Sequence, residues 1–248
     1  MTLRIIQGHR PIPGPSQINI VIDVIRAFTV AHYAFIKGVE GIVLAGNPEE
    51  AFRLKQRNPE FLLAGEIGGL HVQGFDLDNS PERLTKRDDL EGKYLIQMTT
   101  NGVKATLNAL NADCTFVTGF SNAKTTAEFI KSKFGATGRT GAVNIIASHP
   151  SGDDDLACAQ YMAGILRGLN VPSADQTMER IRASEAAQKF YDVNKPEFLA
   201  EDISLCAKEI SSDFVMKVNR NTVPLIEKVR VEGGPIPVSA AHFVNAVK

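Results

Sequence analysis

Residues 64–82 of this chain read AGEIGGLHVQGFDLDNSPE. Glu66, Asp76, Asp78, Asn79 and Ser80 are interleaved there with Gly65, Gly68, Gly69 and Gly74, without the apolar periodicity that would hold a regular helix or strand. Carboxylates spaced by glycine suit a hard cation, because Mg²⁺ takes oxygen ligands and glycine lets backbone amides approach a phosphate oxygen closely. The plainer reading of the same composition is a solvated acidic loop.

The elements that must position such a loop alternate along the chain. Short apolar runs at Ile18–Val24, Gly41–Ala45, Phe61–Ala64, Tyr94–Met98, Cys114–Thr118 and Ala142–Ala147 read as strands buried on both faces. Amphipathic stretches at Ala27–Lys37, Pro48–Gln56, Gly102–Leu110, Ala123–Phe134 and Asp154–Leu169 read as the covering helices. The expected fold is α/β, a mostly parallel sheet with helices on both faces over residues 1–172. Residues 173–248 form a helical and short-strand C-terminal portion, with helices at Ala174–Tyr191 and Pro196–Glu209, strands at Phe214–Val218 and Val223–Val231, and a turn over Gly233, Gly234, Pro235 and Pro237. Asn47-Pro48 and Ser80-Pro81-Glu82 are helix starts, the second directly behind the acidic loop.

In parallel sheets ligands bind beyond the carboxyl ends of the strands, where this chain carries polar groups. Asp23 and Arg26 follow the first strand, Glu66 the third, Thr99, Thr100 and Asn101 the fourth, Ser121 and Asn122 the fifth, and Ser148 to Asp155 the sixth. Asp23 lies among Ile20, Val21, Ile22, Val24 and Ile25, so burying it demands a cation, a metal or several donors. Arg26 serves equally as its structural partner or as an anion contact. Thr99-Thr100-Asn101-Gly102 joins hydroxyls and an amide at a helix start, an arrangement that grips anions. Ser121, Ser151 and at least one of Asp153, Asp154 and Asp155 are expected to cap helices, and His71 and His149 are alternative general acids near the site.

Composition narrows the function classes. The formal net charge of −1 over 248 residues, with both signs scattered, gives no nucleic-acid surface. No apolar run approaches a membrane span, and the start MTLRIIQGHRPIPGP does not resemble a signal peptide, so a cytoplasmic protein is expected. Cys114, Cys158 and Cys206 lack disulfide or zinc spacing. The polar groups at the strand ends suit a small anionic ligand, and a homodimer is a further expectation.

Taken in order, VIDVIRA, GEIGG, GFDLDNSPE, TTNG, DDLACA and DISLCA resemble the Mg²⁺-dependent 2-phosphosulfolactate phosphatases, whose members tend to show VIDVLRATT, GERGG, GFDLGNSP, TTNGTRAL and SLEDxxCAG at matching places. The resemblance implies an α/β phosphomonoesterase with Asp23, Glu66 and Asp76 as Mg²⁺ ligands. It makes Asn79, Ser80, Thr99, Thr100, Asn101, Asp154 and Asp155 phosphate or substrate contacts, with Arg26 and Lys104 clamping the anion.

The chain also departs from the pattern. Ile67 and Pro150 stand where the family has arginines, Lys104 replaces another arginine, Asp154-Asp155 replaces Glu-Asp, and Phe28-Thr29 replaces Thr-Thr. A substrate carrying both phosphate and sulfonate needs cations, so altered substrate preference is expected, with Arg139 as a possible compensating charge. Two alternatives remain at this level. One is a non-catalytic metal- or anion-binding relative. The other follows from FDLDNS, which also resembles the FDLDGT of haloacid dehalogenase-type phosphatases and would make Asp76 a nucleophile.

Overall fold

The computed structural model describes residues 2–135 and 141–231; Arg139, His242 and the Gly233–Pro237 turn lie outside the described residues. Its elements run β1 (Thr2–Gln7), β2 (Ser16–Ile22), α1 (Ala27–Ile36), β3 (Gly41–Leu44), α2 (Pro48–Arg57), β4 (Leu62–Ile67), β5 (Leu70–His71), α3 (Pro81–Thr85), β6 (Tyr94–Met98), α4 (Gly102–Leu107) and β7 (Ala112–Thr118). They continue with α5 (Ala123–Gly135), β8 (Ala142–Ala147), α6 (Asp153–Arg167), α7 (Ala174–Ala183), α8 (Glu185–Gln188), α9 (Ala200–Cys206), β9 (Phe214–Asn219) and β10 (Leu225–Arg230). The expected α/β class with a largely parallel sheet is therefore correct. The Asn47 side chain accepts from Glu50 N at 2.8 Å and Ser80 accepts from Arg83 N, so both helix starts are capped as their sequences imply.

The sheet order is β1-β8-β2-β7-β9-β10-β3-β6-β4-β5. β1, β8, β2 and β7 form one parallel group and β3, β6 and β4 another. The β9–β10 hairpin from the C-terminal portion lies between them through three antiparallel pairings, so the two groups run in opposite senses along the ladder. Strand β2 is covered on both faces, as its unbroken apolar run requires: Ile18, Ile20 and Ile22 join the core under α5 and α6, while Val21 joins the core around Phe28, Val30 and Phe35 of α1.

Three local expectations need correction. The helix expected over Ala174–Tyr191 breaks at Ser184, whose backbone is extended (φ −60°, ψ 151°) and carries Glu185 into the separate α8. The segment from residue 64 is not irregular throughout, because β4 runs to Ile67 and turns through Gly68 and Gly69 into β5. Ser121 does not cap a helix; its hydroxyl lies 2.8 Å from His32 Nδ1, and Ser212 Oγ lies 2.7 Å from Nε2. This fully enclosed imidazole has its pKa lowered to about 4 by burial.

Candidate active site

The residues following β2, β6 and β8 converge on Asp23. Asp23 immediately follows β2 and is buried; its Oδ1 accepts the Ala27 amide at 2.8 Å, fixing the first turn of α1. Gly102, at the start of α4, lies so close that a Cβ there would sit 2.6 Å from Asp23 Oδ2. Only glycine fits at this contact. Ser148 Oγ, just past β8, lies 3.3 Å from Asp23 Oδ2 and 3.0 Å from Asp155 Oδ2, and its single hydrogen can be donated to only one of them at a time.

The three aspartates opening α6 divide the work. Asp153 faces outward and pairs with Arg180, whose NH2 lies 2.5 Å away. Asp155 ties two strand ends together, accepting from Val24 N at 2.8 Å and His149 N at 3.0 Å. Asp154 is buried, yet its Oδ1 has no hydrogen-bond partner. Burial raises the pKa of Asp154 to about 6; burial, assisted by the charges of Asp154 and Glu66, raises that of Asp23 to about 6. Asp155 is pushed up as well, by burial and then by Asp154 and Asp23. Ser151 does not cap this helix, its amide instead donating to His149 Nδ1 at 3.2 Å.

Glu66 completes the cluster from the end of β4. Its Oε1 accepts from Thr100 N at 2.7 Å, and its Oε2 accepts from the Thr100 hydroxyl at 3.1 Å and from the Gly69 amide. Gly68 N in turn donates to Thr100 Oγ1, so the β4–β5 turn and the loop after β6 are locked together by one carboxylate and one hydroxyl. Thr99 Oγ1 accepts from Val103 N and caps α4, Asn101 beside it is half-buried, and Lys104 one turn on is exposed.

Arg26 does not pair with Asp23. Its NH1 donates to Asp202 Oδ2 at 2.8 Å and its NH2 to Gly69 O at 3.0 Å, while its guanidinium carbon lies 4.9 Å from the Phe190 ring centroid. The other oxygen of the fully enclosed Asp202 accepts from the Ser80 hydroxyl at 2.7 Å and from Glu82 N at 3.0 Å. Ser80 is therefore committed to joining α3 and α9, and Arg26 to the turn that holds Glu66. Asn79 is buried with Oδ1 unpartnered. The segment before it runs alongside β4, Leu77 bridging Ala64, which carries Asn79 toward the Glu66 end.

Asp76 stands apart. Its Oδ2 accepts from Leu63 N at 2.8 Å and lies 3.4 Å from Lys55 Nζ, near the start of β4. Three residues of extended strand, roughly 10 Å, separate Leu63 from Glu66. The expected Asp23, Glu66 and Asp76 trio is thus not assembled, and the nearby carboxylates are Asp23, Asp154 and Glu66. Asp76 thus lies beside the start of β4, whereas a haloacid dehalogenase nucleophile follows the end of a strand. His71 is exposed on β5 opposite Glu66.

Among the described residues no three His, Cys, Asp or Glu side chains close on one metal-sized point. Mg²⁺ does not require that, since it keeps several waters and takes one or two carboxylates. The unpartnered Asp154 oxygen beside a buried, charge-destabilised Asp23 fits such an ion.

Sequence reasoning missed Asp202, Phe190, Phe198 and Lys189. The last is half-buried, its Nζ 4.6 Å from the Phe198 centroid, and its pKa is lowered by burial and then by Arg26.

A model of the 2-phosphosulpholactate phosphatase family matches residues 7–221. A protein of Bacillus subtilis (strain 168) named probable 2-phosphosulfolactate phosphatase is 54% identical over 230 residues, covering 92% of this chain and 99% of the relative. One of the same name from Clostridium perfringens (strain 13 / Type A) is 30% identical over 229 residues, covering 85% of this chain and 90% of its own.

Proposed function

Because the chain belongs to the 2-phosphosulpholactate phosphatase family, we propose that it is a Mg²⁺-dependent phosphomonoesterase acting on a small anionic phosphoester, with a substrate preference shifted from that of its relatives. The observation that carries this reading is the set of buried carboxylates Asp23, Asp154 and Glu66, with Asp154 Oδ1 unpartnered. An anionic phosphoester would be repelled from such a cluster unless a cation joined it.

Asp23 and Asp154 would hold the metal, which when bound supplies charge neutralisation of the phosphoryl oxygens and a more acidic water. The protein's own groups do the positioning. Ala27 N and Ser148 fix the Asp23 carboxylate, and Asp155 holds the β2 and β8 ends at constant separation. Glu66 and Arg26 shape the Gly68–Gly69 turn from opposite sides, through the Gly69 amide and the Gly69 carbonyl. The Asn79 amide offers a hydrogen-bonding group that the protein itself leaves partly unused. No covalent intermediate is invoked. Asp76→Asn should leave kcat within about threefold of the parent, because the Leu63 contact needs only an acceptor oxygen that asparagine keeps. Phosphate-release kinetics together with acid-quench trapping check this. A collapse in rate, or a phosphorylated Asp76, contradicts it.

The shifted preference rests on Ile67 and Pro150. Ile67 directly follows Glu66 and is 54% exposed, while Pro150 is exposed in the loop between β8 and α6. An arginine contact to an anion contributes roughly 1.5–3 kcal/mol, so two absent contacts lower selectivity for a sulfonated substrate by roughly two to four orders of magnitude. The test compares kcat/KM for 2-phosphosulfolactate with that for 2-phospholactate, which lacks the sulfonate. The ratio should rise in Ile67→Arg. Turnover of 2-phosphosulfolactate far above that of 2-phospholactate by the unaltered protein would overturn the shifted preference while leaving the phosphatase reading intact.

A further inference from the structure

Among the described residues two cations, Arg26 and Lys189, reach the turn that holds Glu66, and they are used differently. Arg26 is consumed internally by Asp202, by the Gly69 carbonyl and by the Phe190 ring. Lys189 reaches the same turn over the same pair of aromatic rings. A Cβ built on Gly69 would lie 3.0 Å from Lys189 Nζ and 3.1 Å from the Phe198 ring, so the ammonium rests against the glycine whose amide binds Glu66. The charges of Glu66 and Asp154 both act on Lys189. Among the described residues, however, no carboxylate comes within the 4.0 Å of an ion pair with it.

The aromatic pair explains why the ammonium stays there. Phe190 and Phe198 are buried with centroids 5.1 Å apart in an edge-on arrangement, and Lys189 Nζ lies 5.6 Å and 4.6 Å from the two rings. Cation–π attraction holds a charge at a ring face without satisfying its hydrogen-bond donors. Lys189 therefore presents up to three N–H donors at the edge of the carboxylate cluster, beside a second cation.

We propose that Lys189 is the specificity-determining contact for the second anionic group of the substrate, the sulfonate carried on the carbon chain beyond the phosphoester. This rests on the phosphatase reading above. It would give a chain with Ile67 and Pro150 in place of arginines one cation for a second anion: a single ammonium, delivered from the loop after α8 to the Gly69 turn beside Glu66. A point charge without bidentate geometry gives a weaker preference than two arginines would.

The test measures KM and kcat for 2-phosphosulfolactate and 2-phospholactate in the parent, Lys189→Met and Lys189→Arg, with thermal melts of all three. Lys189→Met should raise KM for the sulfonated substrate at least about tenfold, with KM for 2-phospholactate and both kcat values within about threefold. Lys189→Arg should restore KM for the sulfonated substrate to within about threefold of the parent. Equal KM changes on both substrates, or none, overturn the proposal, as does a KM change that follows a lost melting transition in both variants. Calorimetric titration with sulfolactate and with inorganic phosphate separates this from a failure of the phosphatase reading. If the parent turns over neither ester, loss of sulfolactate binding in Lys189→Met alone still supports the assignment, and unchanged binding overturns it.

Discussion

Asp23→Asn is expected to lower phosphomonoesterase activity by at least about 10²-fold while making the metal-free protein more stable near neutral pH. Asparagine is nearly isosteric and keeps an oxygen for the Ala27 amide, so α1 should start as before. What disappears is a buried charge facing Asp154 and Glu66. Asp23 has its pKa raised from 3.8 to about 6, mainly by burial. Above pH 6 the ionised carboxylate therefore costs about 3 kcal/mol relative to an exposed aspartate. Because the folded-state pKa is the higher one, this penalty is fully present above about pH 6, shrinks as pH falls, and vanishes below about pH 4. The stabilisation by Asp23→Asn should accordingly appear in melts at pH 7.5 and fade at pH 4. A variant that retains more than a tenth of parental activity, or that is less stable at pH 7.5, contradicts the role given to Asp23.

The same residue shows how far the sequence could be read. An acid amid five aliphatic neighbours had to be unusual, and burial bears that out; its partners, Ala27 N and Ser148, could not be named from spacing. Arg26 looked like a partner because it is three residues away, but that spacing brings side chains together only within a helix, and α1 begins at Ala27. Its true partner, Asp202, is 176 positions distant and sits in DISLCA, a stretch that carried the family resemblance without any local sign of chemistry. Most strand and helix identities were legible because periodicity is local; β1 was not expected, and the helix expected over Pro196–Glu209 is confined to Ala200–Cys206. The opposed senses of the two parallel groups were not, because they depend on where the β9–β10 hairpin inserts. Likewise Asp76 and Glu66 share one glycine-rich stretch, and only the parallel run of Leu77 beside Ala64 reveals that they lie toward opposite ends of β4. The loss of helix at Ser184 placed Lys189 and Phe190 outside any pattern that periodicity could detect.

Removing Mg²⁺ is the other change with a large expected effect. Asp23, Asp154 and Glu66 are buried and two of them have raised pKa values, so on the reading proposed above the site without a divalent cation would repel an anionic substrate. Substrate binding and charge neutralisation should fail together, lowering activity by at least about 10²-fold. Phosphate release from a panel of small phosphomonoesters, including 2-phosphosulfolactate and 2-phospholactate, measured before chelation, in excess EDTA and after Mg²⁺ is restored, tests the central claim most directly. Turnover of at least one ester that is lost in EDTA and regained with Mg²⁺ is the expected result; full turnover in EDTA, or none of any ester with Mg²⁺ present, would contradict it.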